Sequence, residues 1–355
     1  MASNGIPEID IAPMLAGDPA GKRRIAERVG DALETIGFFT IVGHGVPDRV
    51  VGDARDLAYE FFALPLEEKM RVPRPSIAAT RGYDPPANQK LAATLGNESP
   101  PDLQEMFGMG DFDVPDEPYY TEGHGKDFFS PNLWPERPAG MRKAFETYYR
   151  ALSGIGDQLM RVFAIALGID ERFFDDKIAR SISHIRFNKY MAQKEAPLPG
   201  QLRAGAHTDY GTLTILYGED RPGGLQAFSP DGEWIDVRPP PGTFVVNIGD
   251  MMARWTNDRW VSTLHRVVNP PRSEDRAERL SIAFFHQPGH DIEIRCIETC
   301  HGPGNPIRYP PVIYGDYRFG KVVSSRLAEE EASPDSAVQD IKSISVPIPA
   351  SRARR

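Results

Sequence analysis

The chain has 355 residues, 40% hydrophobic and 26% charged, with a formal net charge of -9. That length supports one large domain or two modest ones, and the composition excludes a disordered or membrane-embedded chain. The acidic balance argues against nucleic acid or anionic lipid as a partner and leaves small-molecule chemistry as the expectation.

The N-terminal MASNGIPEIDIAPML has no basic region followed by an apolar run, and no stretch of the chain reaches the ~18 apolar residues of a membrane span. Residues 20–36 place Ile25, Val29, Leu33 and Ile36 at spacings of three and four, an amphipathic helix stopped by Gly37. Phe38–Val42 reads as a short buried strand, with a turn at Gly43–Pro47, and a helix follows over 47–63. Residues 78–138 read as irregular and rich in Pro, Gly, Asp and aromatics; a segment of that length is expected to wrap an active site. The strongest helical pattern covers 140–167 and stops at Gly168. Beyond it come strand-like runs at 183–191, 211–218, 242–249, 260–268 and 279–287. Gly and Pro together number 65, which suits many short strands joined by tight turns. A sandwich, barrel or jelly roll with the earlier helices outside is therefore expected. The last ~35 residues are polar and read as a peripheral helix and tail.

Only two cysteines occur, Cys296 and Cys300, which rules out a disulfide framework and fits a reducing, cytoplasmic setting. With His301 they fall short of a closed zinc site. The chemistry-bearing residues lie elsewhere. In His207-Thr208-Asp209, positions i and i+2 of an extended backbone put an imidazole and a carboxylate on one side. His265, in the run 260–268, supplies a second imidazole; two His and one carboxylate on a β scaffold suit non-haem Fe(II) with coordination positions left open.

The run 279–287 alternates: Leu280, Ile282 and Phe284 face one way, and Arg279, Ser281, Ala283, Phe285 and Gln287 the other. A guanidinium and a hydroxyl on one face are suited to gripping a carboxylate, whereas a buried guanidinium without an anion is costly. Asn188 and Tyr190 share a face and can contribute polar contacts, with Arg186 as their face-mate. Arg186, Phe285 and Gln287 are candidate substrate contacts, and Phe107 and Met109 candidates for the pocket rim. His44 reads as structural, and His286 falls on the face opposite Arg279.

From about Ser183 to Pro288, the motifs NKY, HTDYGTLTIL, GGLQ, FVVNIGD, TNDRWVSTLHRVV and RLSIAFFHQP occur in that order. In this order they resemble the iron and 2-oxoglutarate-dependent oxygenases of the isopenicillin N synthase-like family. The segments IPEIDI, GFFTIVGHGV and FFALPLEEK are similar to the region preceding the catalytic core there. The resemblance implies a mainly β fold with flanking helices, a distorted jelly roll or double-stranded β-helix. It divides the chain into an N-terminal region (6–125), supporting helices (126–180), the jelly-roll core (181–290) and a C-terminal strand/helix with its tail (291–355). It implies His207, Asp209 and His265 as iron ligands, Arg279 and Ser281 as the grip on the distal carboxylate of 2-oxoglutarate, and Asn188 and Tyr190 beside it. The implied cofactors are Fe(II), 2-oxoglutarate as cosubstrate and O2. The implied activity is oxidation of a C–H bond in a small molecule by hydroxylation, desaturation, cyclisation or epoxidation, with release of succinate and CO2.

Alternatives stay open at this point. Isopenicillin N synthase itself uses this triad and Arg-x-Ser pair without 2-oxoglutarate, an ethylene-forming branch fragments the cosubstrate, and a jelly roll can bind ligand without turnover. A hydrolytic zinc site would leave Arg279 and Ser281 unexplained. No nucleic-acid, membrane or obligatory protein partner is expected, and a monomer is the default.

Overall fold

The computed structural model describes residues 5–96, 99–193 and 195–325. Two β-sheets form its centre. The larger contains β1 (Glu8–Asp10), β2 (Phe38–Val42), β3 (Gly82–Asp84), β4 (Gln104–Gly110), β5 (His184–Tyr190), β7 (Leu213–Gly218), β10 (Phe244–Ile248) and β12 (Arg279–His286). The smaller contains β6 (Ala204–His207), β8 (Leu225–Phe228), β9 (Trp234–Asp236) and β11 (His265–Val267). Their strand orders are β1-β2-β10-β7-β12-β5-β4-β3 and β6-β11-β8-β9, with a separate ribbon of β13 (Glu293–Ile294) and β14 (Val312–Ile313). The expected sheet-rich fold with flanking helices is thus present, as two sheets rather than a closed barrel.

Period-2 alternation gives the large sheet two buried faces. Its outer face carries Ile185, Phe187, Leu280, Ile282 and Phe284, which pack under the helix Met141–Ala166. Phe145 of that helix stacks on Phe187 at 3.8 Å between ring centroids, and Tyr149 meets Phe284 edge-on at 5.2 Å. The helix ends because Gly168 takes φ +69°, letting its amide reach the Ile165 carbonyl and the Ile169 amide reach that of Ala164. The inner face of the large sheet looks across to the small sheet, and the space between the two holds the site.

Gly37 also ends its helix (Pro19–Thr35) as expected, at φ +70°, and a Cβ there would meet the Val261 carbonyl at 2.2 Å. That close approach explains a difference at 260–268, where only His265–Val267 is strand. Trp260 packs against Phe163, and the Val261 amide and Thr263 hydroxyl bond the carbonyls of Leu33 and Ile36 instead of a sheet neighbour.

The segment 78–138 departs most from expectation. It contains β3, β4 and a 3-10 turn at Leu91–Leu95, and β4 pairs along its whole length with β5. At the other end, Tyr314–Ser324 forms a helix whose Tyr314, Tyr317, Arg318 and Lys321 are buried. Of the expected peripheral helix and tail, residues 326–355 lie outside the described residues.

Candidate active site

His207 closes β6 and His265 opens β11, and the two are direct cross-strand partners, so their rings lie 4.4 Å apart. Asp209, two residues past His207, brings its Oδ1 to 3.8 Å from His265 Nε2. One ligating atom from each residue falls within 4.8 Å of the others, the one such grouping among the described residues. Cys296 and Cys300 are free thiols outside that grouping.

Each ligand is held by a second bond that frees the useful atom. His207 Nδ1 lies 2.8 Å from the Gly205 carbonyl and His265 Nδ1 3.0 Å from that of Thr263, contacts only an N–H can make. Both Nε2 lone pairs are therefore presented to the cavity. Asp209 Oδ2 accepts from Thr214 Oγ1 at 2.6 Å and Asn247 Nδ2 at 2.7 Å, reserving Oδ1. Burial opposes ionisation of Asp209, but the two imidazoles and these donors outweigh it and hold its carboxyl below the usual range. Burial, reinforced by His265, pushes the His207 imidazole well down and keeps it neutral. Two imidazoles turned with Nε2 inward and one carboxylate are the donor set that fits a ferrous ion with open positions.

Across the cavity, β5 and β12 pair so that Tyr190 faces Arg279, Asn188 faces Ser281, Arg186 faces Ala283 and His184 faces Phe285. Ser281 Oγ lies 3.3 Å from Asn188 Nδ2 and 3.2 Å from Tyr190 OH. Arg279 is 2% exposed and gives its Nε to the Glu219 carbonyl at 3.1 Å. It has no ion-pair partner among the described residues; Glu219 directs its Oε2 to Tyr59 OH at 2.6 Å and the Leu280 amide at 2.8 Å. Gly218 leaves room for the guanidinium; a Cβ there would lie 2.7 Å from Arg279 Nη2. Asn188 Oδ1 is buried without a partner. The Arg279 guanidinium and the Ser281 hydroxyl are donors suited to a carboxylate, and they line one cavity with Asn188, Tyr190 and the triad.

A second cavity of about 470 Å³ shares His207, Asp209, Leu91, Arg186 and Phe285 with the first and opens on their other side. Gln287 lines it, as the alternation along β12 expects, together with His184, Gln89 and Arg318. Phe107 and Met109 do not. Both are fully buried on the outer face of β4, where Phe107 packs against Phe61 at 5.0 Å and Phe145 at 6.0 Å. The intervening positions point inward instead, and Gln104 reaches the first cavity. His44 bonds the Gly242 carbonyl and Val46 amide, and His286 bonds Thr212 and Asp157 on the outer face; neither is a ligand to the cavity.

Sequence reasoning missed Thr214, Asn247, Gln104 and Arg318. Thr214 and Asn247 were findable, because they alternate onto one face of GTLTILYG and GTFVVNIG and are cross-strand partners. Arg318 had a weaker signal, the spacing of Tyr314, Tyr317, Arg318 and Lys321 along one helix face.

Comparison with known proteins points the same way. Residues 6–137 match the family described as non-haem dioxygenase in morphine synthesis N-terminal, and residues 181–288 match the 2OG-Fe(II) oxygenase superfamily. The chain is 35% identical over 321 residues to the 2-oxoglutarate-Fe(II) type oxidoreductase hxnY of Emericella nidulans, covering 89% of each. It is 33% identical over 332 residues to homoarginine-6-hydroxylase 2-ODD-233 of Oryza sativa subsp. japonica, covering 90% of this chain and 97% of that one. Among solved structures, a full-length Neurospora crassa protein crystallised in complex with alpha-KG and thymine superposes with a TM-score of 0.78 at 31% identity, covering 90% of this chain and 96% of that one.

Proposed function

The chain belongs to the 2OG-Fe(II) oxygenase superfamily, and from that premise we propose that His207, Asp209 and His265 hold its iron while Arg279 and Ser281 anchor the far carboxylate of 2-oxoglutarate. It is a 2-oxoglutarate-dependent oxygenase acting on small molecules, with Fe(II) as its metal and O2 as co-substrate. When bound, iron would activate O2, the oxidant, which takes two electrons from 2-oxoglutarate as it is decarboxylated to succinate and CO2 and two from the substrate C–H bond.

The observation that carries the assignment of roles is the pairing of three inward-facing ligand atoms with a buried guanidinium that lacks a counter-anion among the described residues, both lining one cavity. The chain's own contribution is positioning. Gly205 and Thr263 fix which ring nitrogen of each histidine faces the metal, and Thr214 and Asn247 aim the carboxylate. Asn188 and Tyr190 orient the Ser281 hydroxyl toward the same acid as Arg279. The substrate sits on the Arg186, Phe285 and Gln287 side, where Phe285 offers a flat apolar wall.

Hydroxylation is the favoured outcome, since the relatives include homoarginine-6-hydroxylases. Two free thiols support a cytoplasmic location. No helix among the described residues is long and apolar enough to cross a membrane. The test is anaerobic loading with Fe(II) and 2-oxoglutarate, followed by a metabolite screen for substrate-stimulated succinate. His207→Ala and Asp209→Ala should each lose iron binding and oxygen consumption together; iron retained at full affinity in both variants would overturn the ligand assignment.

A further inference from the structure

Resting on the oxygenase reading, the structure assigns the second cavity to a substrate that carries a carboxylate, gripped between Arg186 and Arg318. The two guanidiniums come from distant parts of the chain, β5 and the helix Tyr314–Ser324, and line one cavity. Arg318 is 2% exposed, and its Nη1 is buried with no hydrogen-bond partner. Its Nη2 lies 3.4 Å from His184 Nδ1 and its Cζ 4.6 Å over the Phe128 ring, contacts that orient the group without neutralising it. Arg186 makes no hydrogen bond to any described residue; its Nε is buried and unpartnered, and its Cζ lies 5.2 Å from the Phe285 ring.

Neither guanidinium has a carboxylate within ion-pair distance among the described residues. Asp102 is the acid that acts on Arg186, but it spends Oδ2 on the Leu91 amide and Oδ1 on the Gly205 amide. Asp209 is committed to the triad. Burial foremost, and also the charge of Arg186, weakens the protonated form of Arg318, so the pair repel each other in the free protein. A guanidinium stays charged and cannot accept a hydrogen bond, so whatever meets this pair must offer acceptor atoms, and an anion is the acceptor that also offsets two uncompensated charges. With Asp102 ionised and the charge of Asp209 offset by the metal it is to hold, one net positive charge is left, which matches a monoanionic carboxylate better than a dianionic phosphate ester.

The geometry also sets the direction of binding. The inner cavity takes its diacid at Arg279, on one side of the triad, and the outer cavity takes its acid at Arg318, on the other. The substrate's carbon skeleton then runs along Phe285 and Leu91 toward His207 and Asp209, which places the oxidised carbon away from its carboxylate.

The test uses protein loaded with Mn(II) and 2-oxoglutarate, which cannot turn over, and calorimetric titration with matched probes: benzoate against benzamide, and 3-phenylpropanoate against 3-phenylpropanamide, with phenyl phosphate as a further arm. At least one acid should bind tenfold or more tighter than its amide. Arg318→Gln and Arg186→Gln should each weaken that acid tenfold or more while changing the amide less than threefold; Arg318→Gln, at the residue that lines the second cavity alone, should also leave 2-oxoglutarate within threefold, and Arg318→Lys should recover part of the loss. Amides binding as well as acids, phenyl phosphate outcompeting both acids, or acids failing to bind protein that does bind 2-oxoglutarate would each overturn the inference and leave the oxygenase reading intact. Failure to bind Mn(II) and 2-oxoglutarate at all would instead strike the premise.

Discussion

Replacing Arg279 with Gln removes the buried guanidinium that is to hold the far end of 2-oxoglutarate, and the structure says how much that should matter. Arg279 is 2% exposed, its Nε is already committed to the Glu219 carbonyl, and Glu219 Oε2 is bonded by Tyr59 and Leu280. The Nη groups are thus the part available to a ligand, and among the described residues no side-chain carboxylate forms an ion pair with them. Truncating one partner of a buried, hydrogen-bonded charge pair costs about 2–5 kcal/mol. Gln keeps a neutral donor and Ser281 keeps its hydroxyl, so the lower half of that range applies, about 2–3 kcal/mol, or roughly 30- to 150-fold in cosubstrate affinity. The KM for 2-oxoglutarate, read as succinate release, should rise by that factor, while Mn(II) affinity stays within threefold because no iron ligand is touched. The ligand-free protein should melt no lower than the wild type, since a buried cation without an anion has been replaced by a neutral group. Arg279→Lys keeps the charge but loses the two-pronged donor and should fall between the two. A KM for 2-oxoglutarate within threefold of wild type, in a variant that binds metal normally, would refute the reasoning.

Three further outcomes follow from other parts of the site. Asn247→Ala frees Asp209 Oδ2 from one of its two donors and should weaken metal binding about 10- to 100-fold, measured by Mn(II) titration; unchanged affinity would mean Thr214 alone aims the carboxylate. Phe107→Ala should cost about 3–5 kcal/mol of stability, seen as a lowered Tm, and leave the KM for 2-oxoglutarate within twofold; a normal Tm with altered substrate KM would return Phe107 to the pocket rim. Burial raises the Asp102 carboxyl to about 6, above the ~3.9 of an unfolded chain, so the folded protein holds an extra proton between those values and loses this contribution to stability as pH rises through them. Asp102→Asn should flatten that limb of the Tm-against-pH curve relative to wild type, and an identical slope in the two proteins would contradict it.

Both ends of the inner cavity were legible because each is written on a single strand with period-2 alternation. Arg279 and Ser281 share a face of β12 whatever the strand pairs with, and the same holds for Asn188 and Tyr190 on β5; the structure added only the register that sets them opposite one another. His207 and Asp209 are likewise two residues apart, while His265 became a partner of His207 through the pairing of β11 with β6. Where alternation carried no polarity, the reading failed. In Gln104–Gly110 one face holds Gln104, Met106 and Gly108 and the other Glu105, Phe107 and Met109, each with one polar residue and an apolar remainder. Glu105 even lies on the core side, because Lys69 and Tyr83 meet its carboxylate at 2.6 and 2.7 Å. Nothing local says which face turns inward; the tie is broken by Phe61 and Phe145, which pack over Phe107 from separate helices.

Arg318 shows why the substrate side is harder to read than the metal side. Its helix buries Tyr314, Tyr317, Arg318 and Lys321, a face that hydropathy would assign to solvent, and each finds its place through a long-range contact. Tyr317 OH reaches Asp250 at 2.6 Å, Lys321 Nζ lies 3.9 Å from the same carboxylate, and Tyr314 OH bonds Gln287. Those polar contacts anchor the helix against the β12 end of the site and set Arg318 over the cavity. The two triad histidines and the proposed cosubstrate grip therefore rest on strand pairs whose geometry is fixed by backbone hydrogen bonds, whereas the Arg318 end of the proposed substrate cavity rests on side-chain contacts between a late helix and the sheet. Changes in that helix can alter the second cavity without disturbing a strand pair, so a chain of this fold can change the molecule it oxidises while keeping the same oxidising centre.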